Sequence, residues 1–346
     1  MDRLGKLAGL VTVMLCASTA ISGCTQAPDA PDREITNVTG DLYRFREIRH
    51  VGMFLVTPDG IIVVDPTNPG LAQWLKDELD ERFGLPVKYV IYSHAHNDHA
   101  SGGEVFADTA TFVGHVNMRH NLQKPSADAP LLAREQLWDT NGNGRIEYDE
   151  GNHYAQMAFD ILEIDHGGSV TRSDIWESRF GNILLGPIVP PDIYYSDQMT
   201  VTLGGKSVEL HYAGLGHTDD MSIVLFPEER TIYVVDALTP ARLPFEDLDG
   251  TFLPEWRDWM RQVDTLDFDI ISPGHEAIGT KADVAEQISY FEDLIDGVSA
   301  GIAAGSSKEE IVDTVLLEQY SHMLQYDNWR VPNVTGAYEI LISNER

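Results

Sequence analysis

A cluster of histidine and aspartate side chains follows directly after a short apolar segment. The stretch YSHAHNDHASGG at residues 92–103 carries His94, His96, Asp98 and His99 within six residues. If the extended chain continues, the side chains of His94 and His96 point the same way, because side chains alternate along a strand with period two. Imidazole and carboxylate are the ligands that suit zinc and related ions. The cluster therefore predicts a metal site, and its four candidates could serve two neighbouring ions.

Four more residues occupy positions that suit the same site. His217 lies in GLGHTDD, Asp236 directly follows the apolar strand IYVV, and His275 lies in SPGHEA. Asp65 ends the apolar run IIVVD. The order His-x-His-x-Asp-His, then a distant His, an Asp and a final His, resembles the metallo-β-lactamase-fold hydrolase superfamily. The resemblance covers about residues 40–280.

The resemblance implies two metal ions, with Asp236 as the bridging ligand between them. The remaining ligands fall into two sets, which are His94, His96 and His217 for one ion and Asp98, His99 and His275 for the other. Two zinc ions are expected, with iron or manganese as alternatives. A water shared by two such ions has its pKa lowered from 15.7 to about 7, so that hydroxide forms at neutral pH.

The resemblance also implies the roles of individual residues in hydrolysis. The bridging hydroxide would attack a carbonyl or comparable electrophile, and Asp98 would orient this nucleophile as well as bind metal. The expected catalytic residues are those of the first cluster: His94, His96, Asp98 and His99. Asp65 would not bind metal but would fix a ligand histidine by hydrogen bonding.

The bridging residue narrows the substrate class. Superfamily members that use cysteine as a ligand of the second metal would have it where Asp236 stands, whereas this chain has only Cys16 and Cys24. A bridging Asp resembles the glyoxalase II, lactonase and alkylsulfatase-like branches, which cleave thioesters, lactones and sulfate esters. The sequence therefore predicts hydrolysis of an ester, thioester, lactone or related bond in a small-molecule substrate. A metallo-β-lactamase that hydrolyses β-lactam antibiotics is the alternative.

A second pattern, DTNGNGRIEYDE at residues 139–150, matches the EF-hand calcium loop. Oxygen ligands fall at positions 1, 3, 5, 7, 9 and 12, with Gly144 at the sixth position for the sharp turn. The predicted calcium ligands are Asp139, Asn141, Asn143, Arg145 through its carbonyl, Glu147 and Glu150. One calcium ion is expected, with a helix entering over PLLAREQLW and another leaving from Tyr148 onward. A non-catalytic calcium-binding lipoprotein is the alternative function that this loop raises.

A degenerate partner of this loop follows in DILEIDHGGSVTRSDIWE. Its candidate ligands are Asp165, Ser169, Thr171 and Asp174, and it is about two residues shorter than a complete loop. Since EF-hands usually occur in pairs, we expect this segment to pack against the first loop without binding calcium itself.

The elements around these motifs predict a layered α/β protein, and the resemblance implies an αββα sandwich of the metallo-β-lactamase type. Apolar strands are expected before Asp65, His94 and Asp236, and a hairpin around Gly204-Gly205. Helices are expected over about 71–83, 281–299 and 307–326. The predicted hydrolase domain spans 40–280, with the EF-hand-like insertion at 121–190 and a C-terminal helical extension at 281–346.

The first residues are typical of a secretory signal. Arg3 and Lys6 precede an apolar run from Leu7 to Ile21, which is too short to cross a bilayer comfortably. The sequence around Cys24 resembles the bacterial lipobox. We therefore expect a signal peptide at 1–23, a lipid anchor at Cys24 that attaches the exported protein to a membrane of the cell envelope, and a tether at 24–39.

The formal charge of −31 restricts the possible partners. Phosphate groups of nucleic acid would be repelled by so acidic a surface, so no nucleic acid is expected to bind. No obligate protein partner is inferred from the sequence.

Overall fold

Two β-sheets form the centre of the molecule in the computed structural model, which describes residues 32–180, 185–248 and 252–344. The first sheet has seven strands in the order β1-β2-β3-β4-β5-β6-β9. These strands are β1 (Arg33–Thr39), β2 (Leu42–Glu47), β3 (His50–Thr57), β4 (Gly60–Val64), β5 (Val87–Ile91), β6 (Thr111–His115) and β9 (Ile193–Tyr195). The pairs from β1 to β4 are antiparallel, and those from β4 through β5 and β6 to β9 are parallel.

The second sheet has six strands in chain order. They are β10 (Gln198–Leu203), β11 (Lys206–Tyr212), β12 (Ser222–Phe226), β13 (Thr231–Val235), β14 (Ile270–Pro273) and β15 (Gly279–Thr280). Neighbours are antiparallel except for β13 and β14. The β10–β11 hairpin turns at Gly204 and Gly205, whose φ angles of 56° and 82° favour glycine.

Helices cover the outer faces and the C-terminal region. The longer ones are α1 (Pro69–Arg82), α4 (His153–Ile161), α5 (Arg172–Phe180), α6 (Leu253–Thr265), α7 (Lys281–Ala303), α8 (Lys308–Thr314) and α9 (Tyr326–Asn344). The single-turn helices are α2 (Asn97–Ala100) and α3 (Met118–Asn121), and 3₁₀ segments cover Ser101–Phe106, Glu135–Leu137 and Glu318–Tyr320. No helix in the described part of the chain is long and apolar enough to cross a membrane.

The alternation of side chains along the strands divides them between two cores. On β4, Ile62 and Val64 lie in the cluster shared with apolar residues of the second sheet. Ile61 and Val63 point to the opposite face, where they join Leu71 of α1 in a separate cluster. Because helices cover the outer faces of sheets that pack on each other, the predicted αββα class is confirmed.

The carboxyl ends of the buried strands meet at one edge of the molecule. Asp65 follows β4, the His94 cluster follows β5, Asp236 follows β13 and His275 follows β14. This arrangement places the loops that carry the predicted ligands side by side, which is where open α/β sheets bind ligands.

The insertion lies between α3 and β9 and has a small core of its own. Its strands β7 (Ile146–Glu147) and β8 (Ser169–Val170) pair antiparallel, and Ile146 and Val170 are fully buried. The second loop segment therefore packs against the first, as the sequence predicts. The described core residues are Leu131, Trp138, Ile146, Ala155, Ala158, Phe159, Val170 and Ile175.

The register of β7 and β8 corrects the length of the second loop. Ile146 is the eighth residue of the first loop and pairs with Val170. If Val170 is also the eighth residue, the second loop starts at Glu163 and has twelve residues. Each loop also contains an equivalent internal hydrogen bond, in which the amide of the ninth residue donates to the carboxylate of the twelfth. The distance is 3.2 Å from Glu147 to Glu150 in the first loop and 2.8 Å from Thr171 to Asp174 in the second.

The helices predicted to flank the first loop are wrong in their extent. PLLAREQLW contains only the 3₁₀ turn Glu135–Leu137, and Arg134 in this segment pairs with Asp247 at 3.0 Å. The leaving helix begins at His153 rather than at Tyr148, since the Asn152 side chain caps it by accepting the Ala155 amide at 3.1 Å.

Two further boundaries differ from the prediction. Part of the predicted tether at 24–39 is strand β1, which pairs with β2 and so belongs to the sheet. The predicted helix over 307–326 is broken, because Leu317 has a left-handed φ of 54° that ends the regular path after α8. A separate 19-residue helix, α9, follows although it contains Pro332. The predicted signal peptide and the lipid anchor at Cys24 lie outside the described residues.

Candidate metal centre

The first ligand cluster changes from extended chain to helix at His96. His94 and His96 follow β5, and His96 has the extended angles φ −65° and ψ 142°. The single-turn helix α2 then begins at Asn97 and contains Asp98 and His99. The chain therefore turns after His96, as its Asn and Gly neighbours predict, and this turn brings all four side chains to the same edge.

All seven predicted ligands come together in two groups of potential ligand atoms. Within each group the atoms lie within 4.8 Å of one another, and the carboxylate of Asp236 belongs to both. The groups are His94, His96, His217 and Asp236, and Asp98, His99, Asp236 and His275. This division is the one that the family resemblance implies.

Distances around Asp236 show how closely the two groups approach it. Its Oδ2 lies 3.6 Å from His94 Nε2, 3.7 Å from His217 Nε2 and 3.2 Å from His99 Nε2. Its Oδ1 lies 3.1 Å from His275 Nε2. The carboxylate of Asp236 therefore lies next to imidazole nitrogens of both groups, as a bridging ligand requires.

A buried nitrogen atom provides a test of whether a metal fits. Nε2 of His94 is buried and forms no hydrogen bond with any described residue. Leaving such a polar atom unsatisfied is costly, whereas coordination to a cation would satisfy it. Burial also holds the pKa of His94 well below its usual value, which keeps the ring in the neutral form that binds metal. The donor set fits divalent ions of the zinc type.

The charge balance leads to the same conclusion. Burial lowers the pKa of His99, but Asp236 and Asp98 outweigh it and raise this pKa to about 10. Burial raises the pKa of Asp236, but His99 and His275 outweigh it and hold it well below its usual range. Protonated imidazole thus supplies the positive charge beside the two carboxylates, a role that a divalent cation would take when bound.

Asp65 acts on the ligands by a route that differs in part from the prediction. Its Oδ2 lies 3.8 Å from His99 Nδ1, too far for a hydrogen bond. It accepts hydrogen bonds instead from the Ser93 hydroxyl at 2.5 Å and the Tyr233 hydroxyl at 3.0 Å. Ser93 Oγ lies 3.0 Å from His94 Nδ1, so Asp65 reaches this ligand through Ser93. Burial raises the pKa of Asp65 to about 6.

His50 is a site residue that the sequence analysis missed. It begins β3, and its Nε2 lies 3.5 Å from Asp98 Oδ2. Its ring centre lies 5.0 Å from that of His275, and the two residues form an isolated β-bridge. The signal was weak, because a lone His at a strand start has no motif around it.

A cavity of about 290 Å³ opens beside both ligand groups. Asp98, Asp236 and His275 form its floor, and Arg49 and Arg242 contribute positive charge to its walls. Its apolar lining residues are Phe245, Leu248, Trp256 and Trp329. Trp329 belongs to α9, so the C-terminal extension forms part of this cavity.

A second cavity, of about 350 Å³, lies between the insertion and the metal centre. It reaches His96 and His217, and the insertion lines it with residues that include Arg172, Trp176 and Arg179. Arg179 Nη2 lies 3.1 Å from His96 Nε2. The insertion therefore borders the predicted site, as its position in the sequence indicates.

The calcium-like loop has the turns of its motif but is held by its own hydrogen bonds. Asp139 accepts the amides of Asn143 at 3.0 Å and Gly144 at 2.8 Å. The Asn141 and Asn143 amide groups donate to Glu147 at 2.8 and 2.9 Å. The two groups of His, Asp and Glu side chains that could hold an ion in the described residues do not include this loop.

Comparisons with known proteins identify sequences that are similar to this chain. Two curated relatives are each 24% identical to this chain: the 2,4-dinitroanisole O-demethylase subunit alpha of Nocardioides sp. (strain JS1661), over 221 residues, and the linear primary-alkylsulfatase of Pseudomonas sp. (strain ATCC 19151), over 284 residues. The alignments cover 62% and 75% of this chain but 49% and 48% of the relatives, so the chain spans about half the length of each.

Solved structures of 15% identity share the fold. The stereoselective inverting sec-alkylsulfatase Pisa1 from Pseudomonas sp. gives a TM-score of 0.62 over 88% of this chain and 50% of its own. A metallo-β-lactamase from Pontibacter korlensis gives 0.51 over 75% of this chain and 99% of its own. The family profile described as the metallo-beta-lactamase superfamily matches residues 49–275, about two thirds of the sequence. The chain therefore belongs to the metallo-β-lactamase superfamily, whose members are generally metal-dependent hydrolases.

Proposed function

We propose that this protein is a dinuclear metal-dependent hydrolase that cleaves an ester, thioester, lactone or sulfate-ester bond of a small molecule. The observation that carries the proposal is the pair of ligand groups that share Asp236 at the floor of a cavity. One ion would be held by His94, His96 and His217, and the other by Asp98, His99 and His275. Asp236 would contact both ions. When bound, two such ions would polarise the electrophile and lower the pKa of a shared water from 15.7 to about 7.

The residues of the chain position the reactants. Burial raises the pKa of Asp98, but His99 and His50 outweigh it and keep this pKa well below its usual range. Asp98 therefore stays ionised and can accept a hydrogen bond from the attacking water, which orients it. His50, 3.5 Å away, holds the carboxylate in place.

The relatives favour the branch of this superfamily whose members cleave esters. Alkylsulfatases occur both among the curated relatives and among the structural neighbours. The only two cysteines, Cys16 and Cys24, lie outside the described residues, and the position between the two ligand groups is taken by Asp236. This supports a bridging-carboxylate hydrolase over a β-lactamase that uses a cysteine ligand.

Metal analysis combined with a substrate panel tests this function. The purified protein should contain close to two equivalents of zinc, iron or manganese, and should hydrolyse at least one member of a panel of sulfate ester, lactone, thioester, phosphodiester and β-lactam compounds. His96→Ala should lose metal and activity. His322→Ala is the matched control, because His322 is exposed and contacts only Glu286 among the described residues at 2.9 Å. Full activity in His96→Ala would refute the proposal, and turnover of the β-lactam alone would replace it with the β-lactamase alternative.

We also propose that residues 139–150 bind one calcium ion. The support is the match of the loop to the twelve-residue motif and the presence of Gly142 and Gly144 at positive φ, where the loop turns. Calorimetric titration should detect binding on the order of 10⁻⁴ to 10⁻³ M in the full chain. Glu150→Gln should abolish it, and Asp149→Asn, which changes an exposed non-ligand position of the same loop, should not. Equal binding by both variants would disprove the site.

The N-terminal sequence supports a further proposal about location. Export with lipidation at Cys24 would place the mature protein on a membrane of the bacterial cell envelope. The full chain expressed in bacteria should then fractionate with membranes and carry a lipid mass on its first mature residue. Cys24→Ser should release it, whereas Cys16→Ser should not, and membrane association of Cys24→Ser would rule out this anchor.

A further inference from the structure

We propose that the cavity above Asp236 recognises substrates by an anionic sulfate or carboxylate group attached to an apolar chain. Arg242 would bind the anion, and Trp329 of the C-terminal helix would contact the chain. This inference deepens the proposed function and rests on it for the reaction, although binding itself can be measured without turnover.

Arg242 is buried, and the described residues do not use all of its hydrogen-bond donors. The residue is only 9% exposed, and its Nε forms no hydrogen bond with any described residue. Its Nη2 donates to the Thr239 hydroxyl at 2.9 Å, and Oε1 of Glu276 lies 3.9 Å from Nη1. A buried guanidinium with incomplete pairing is costly unless an anion joins it. Since Arg242 lines the cavity, that anion can come from a ligand.

The charges nearby favour an anion over a cation. Arg49 lies on the same side, and its Nε is 3.3 Å from the same Glu276 carboxylate. Two guanidinium groups thus face one carboxylate in a chain whose net charge is −31. The other acidic residues that line the cavity are Asp98 and Asp236, which belong to the ligand groups and would be neutralised by divalent ions. The fork of donors on a guanidinium matches the oxygens of sulfate and carboxylate alike.

An apolar part of the cavity wall adjoins Arg242. It includes Phe245, Leu248, Trp256 and Trp329, and the Trp329 ring lies 5.1 Å from the Arg242 guanidinium carbon. At the rim, Phe245 is 41% exposed and Leu324, which bridges to Arg242 through the backbone, is 57% exposed. Exposed apolar side chains beside a pocket are typical of a binding site for an apolar group. A volume of about 290 Å³ suits a small head group and part of a chain.

The C-terminal segment holds this wall in place. The Leu243 amide donates to the Leu324 carbonyl at 3.1 Å, and the Leu324 amide donates to the Ala241 carbonyl at 2.8 Å. The buried side chain of Asn333 in α9 donates to the carbonyls of Pro244 at 3.0 Å and Glu246 at 2.5 Å. Leu324 and Asn333 lie after residue 275, where the match to the family profile ends. Substrate selection would therefore depend in part on the C-terminal segment.

Binding of three ten-carbon probes to the full chain tests the proposal. Decyl sulfonate, which carries a sulfate-like head group that is not hydrolysed, decanoate and neutral decanol, each below its micelle-forming concentration, are titrated against tryptophan fluorescence and by calorimetry. The wild type should bind both anions at least about tenfold more tightly than decanol, because hydrogen bonds to charged groups contribute that much. Tighter binding of decyl sulfonate assigns the natural group as sulfate, and tighter binding of decanoate assigns it as carboxylate. Equal binding of all three probes would overturn the proposal.

Variants separate anion recognition from general damage to the fold. Arg242→Met, which keeps the length of the side chain, should lose about tenfold in affinity for the preferred anion while leaving decanol within twofold. Trp329→Ala should weaken all three probes together. Arg261→Met is the control, since Arg261 lies on α6 and pairs with Asp258 and Glu292. Unchanged anion affinity in Arg242→Met, or an equal loss for decanol, would contradict the assignment.

Binding and turnover measured on the same proteins distinguish this inference from the proposed function. A protein that binds anions through Arg242 but hydrolyses no substrate would retain the inference and refute the hydrolase. A hydrolase that turns over neutral and anionic esters equally well, in both the wild type and Arg242→Met, would retain the function and refute the inference.

Discussion

The Ser93 hydroxyl donates a hydrogen bond of 2.5 Å to Asp65 Oδ2, and the Ser93 amide donates to Asp65 Oδ1 at 2.8 Å. These bonds join the carboxyl ends of β4 and β5, which lie next to each other in the parallel part of the first sheet. Ser93 in turn lies 3.0 Å from His94 Nδ1. The carboxylate of Asp65 thus orients a predicted metal ligand through one intervening hydroxyl.

Replacing Asp65 by Asn should therefore weaken metal binding without removing a ligand. We expect a loss of about 10- to 100-fold in metal affinity, the usual effect of removing a partner behind the ligands. Competition with a chelator of known affinity measures this change. Asp59→Asn is the control, since Asp59 is an exposed turn residue. Affinity equal to that of the wild type would show that Asp65 does not orient the site.

Removing the metal should lower the stability of the protein as well as its activity. Ions that bind only the native state stabilise it by about 4 kcal/mol at a thousand times their dissociation constant. Chelation should therefore lower the melting temperature, and added zinc should restore it. His94→Ala should already melt at a lower temperature and respond less to the chelator. An unchanged melting temperature after complete metal removal would argue against a metal site at these residues.

Calcium should stabilise the insertion rather than alter the chemistry. The first loop is joined to the second through β7 and β8, and both strands pack in the small core of the insertion. Millimolar calcium should raise the melting temperature of the wild type but not of Glu150→Gln, and should leave the turnover rate unchanged in both. Identical melting of the wild type with and without calcium would remove this role.

Asp220 should make stability depend on pH. The residue is fully buried, and burial raises its pKa to about 6, with Asp219 adding to the effect and the Thr218 hydroxyl opposing it. Between about pH 4 and 6 the native state then binds more protons than the unfolded state. The free energy of unfolding should therefore fall as the pH rises through this window and level off above it.

Asp220→Asn removes this titrating group, so a comparison of the variant with the wild type should reveal its contribution to stability. Relative to the wild type, the variant should gain up to about 3 kcal/mol of stability between pH 4 and pH 8, because each pKa unit corresponds to about 1.4 kcal/mol. Urea unfolding of both proteins at a series of pH values measures the gain. The contributions of groups that titrate in both proteins cancel in the difference between their free energies of unfolding. A difference that is constant with pH would exclude Asp220 as the source.

Asn333 should anchor the C-terminal helix to the loop that forms the cavity wall. Its side chain is fully buried, donates to the carbonyls of Pro244 and Glu246, and accepts the Tyr290 hydroxyl at 2.6 Å. Asn333→Leu should cost about 3 kcal/mol, because it leaves buried polar groups without partners. Asn328→Leu on the exposed face of the same helix should cost far less. Equal losses in the two variants would show that these hydrogen bonds are not the cause.

The sequence by itself determined the fold class and identified the candidate ligand residues. Ligand chemistry is a property of residue type, and the spacing of His94, His96, Asp98 and His99 after an apolar strand is a local feature. Asp65, Asp236 and His275 were also identifiable because each follows a short apolar run. Strand and hairpin positions followed from alternation and from Gly204-Gly205, since these too depend on neighbouring residues.

Only the tertiary structure decided which residues outside the motifs face the metal centre. His50 lies beside Asp98, and Arg242 beside Trp329, through contacts between segments far apart in sequence. The helix that carries Trp329 contains Pro332, a residue that disfavours helices, yet packing of Asn333 and its neighbours stabilises it. The segment before the calcium-like loop, which its pattern predicts as a helix, forms only a 3₁₀ turn, and its Arg134 binds Asp247 across the fold. Local pattern specifies strands, turns and ligand types, whereas burial and long-range pairing are properties of the assembled chain and override local preference.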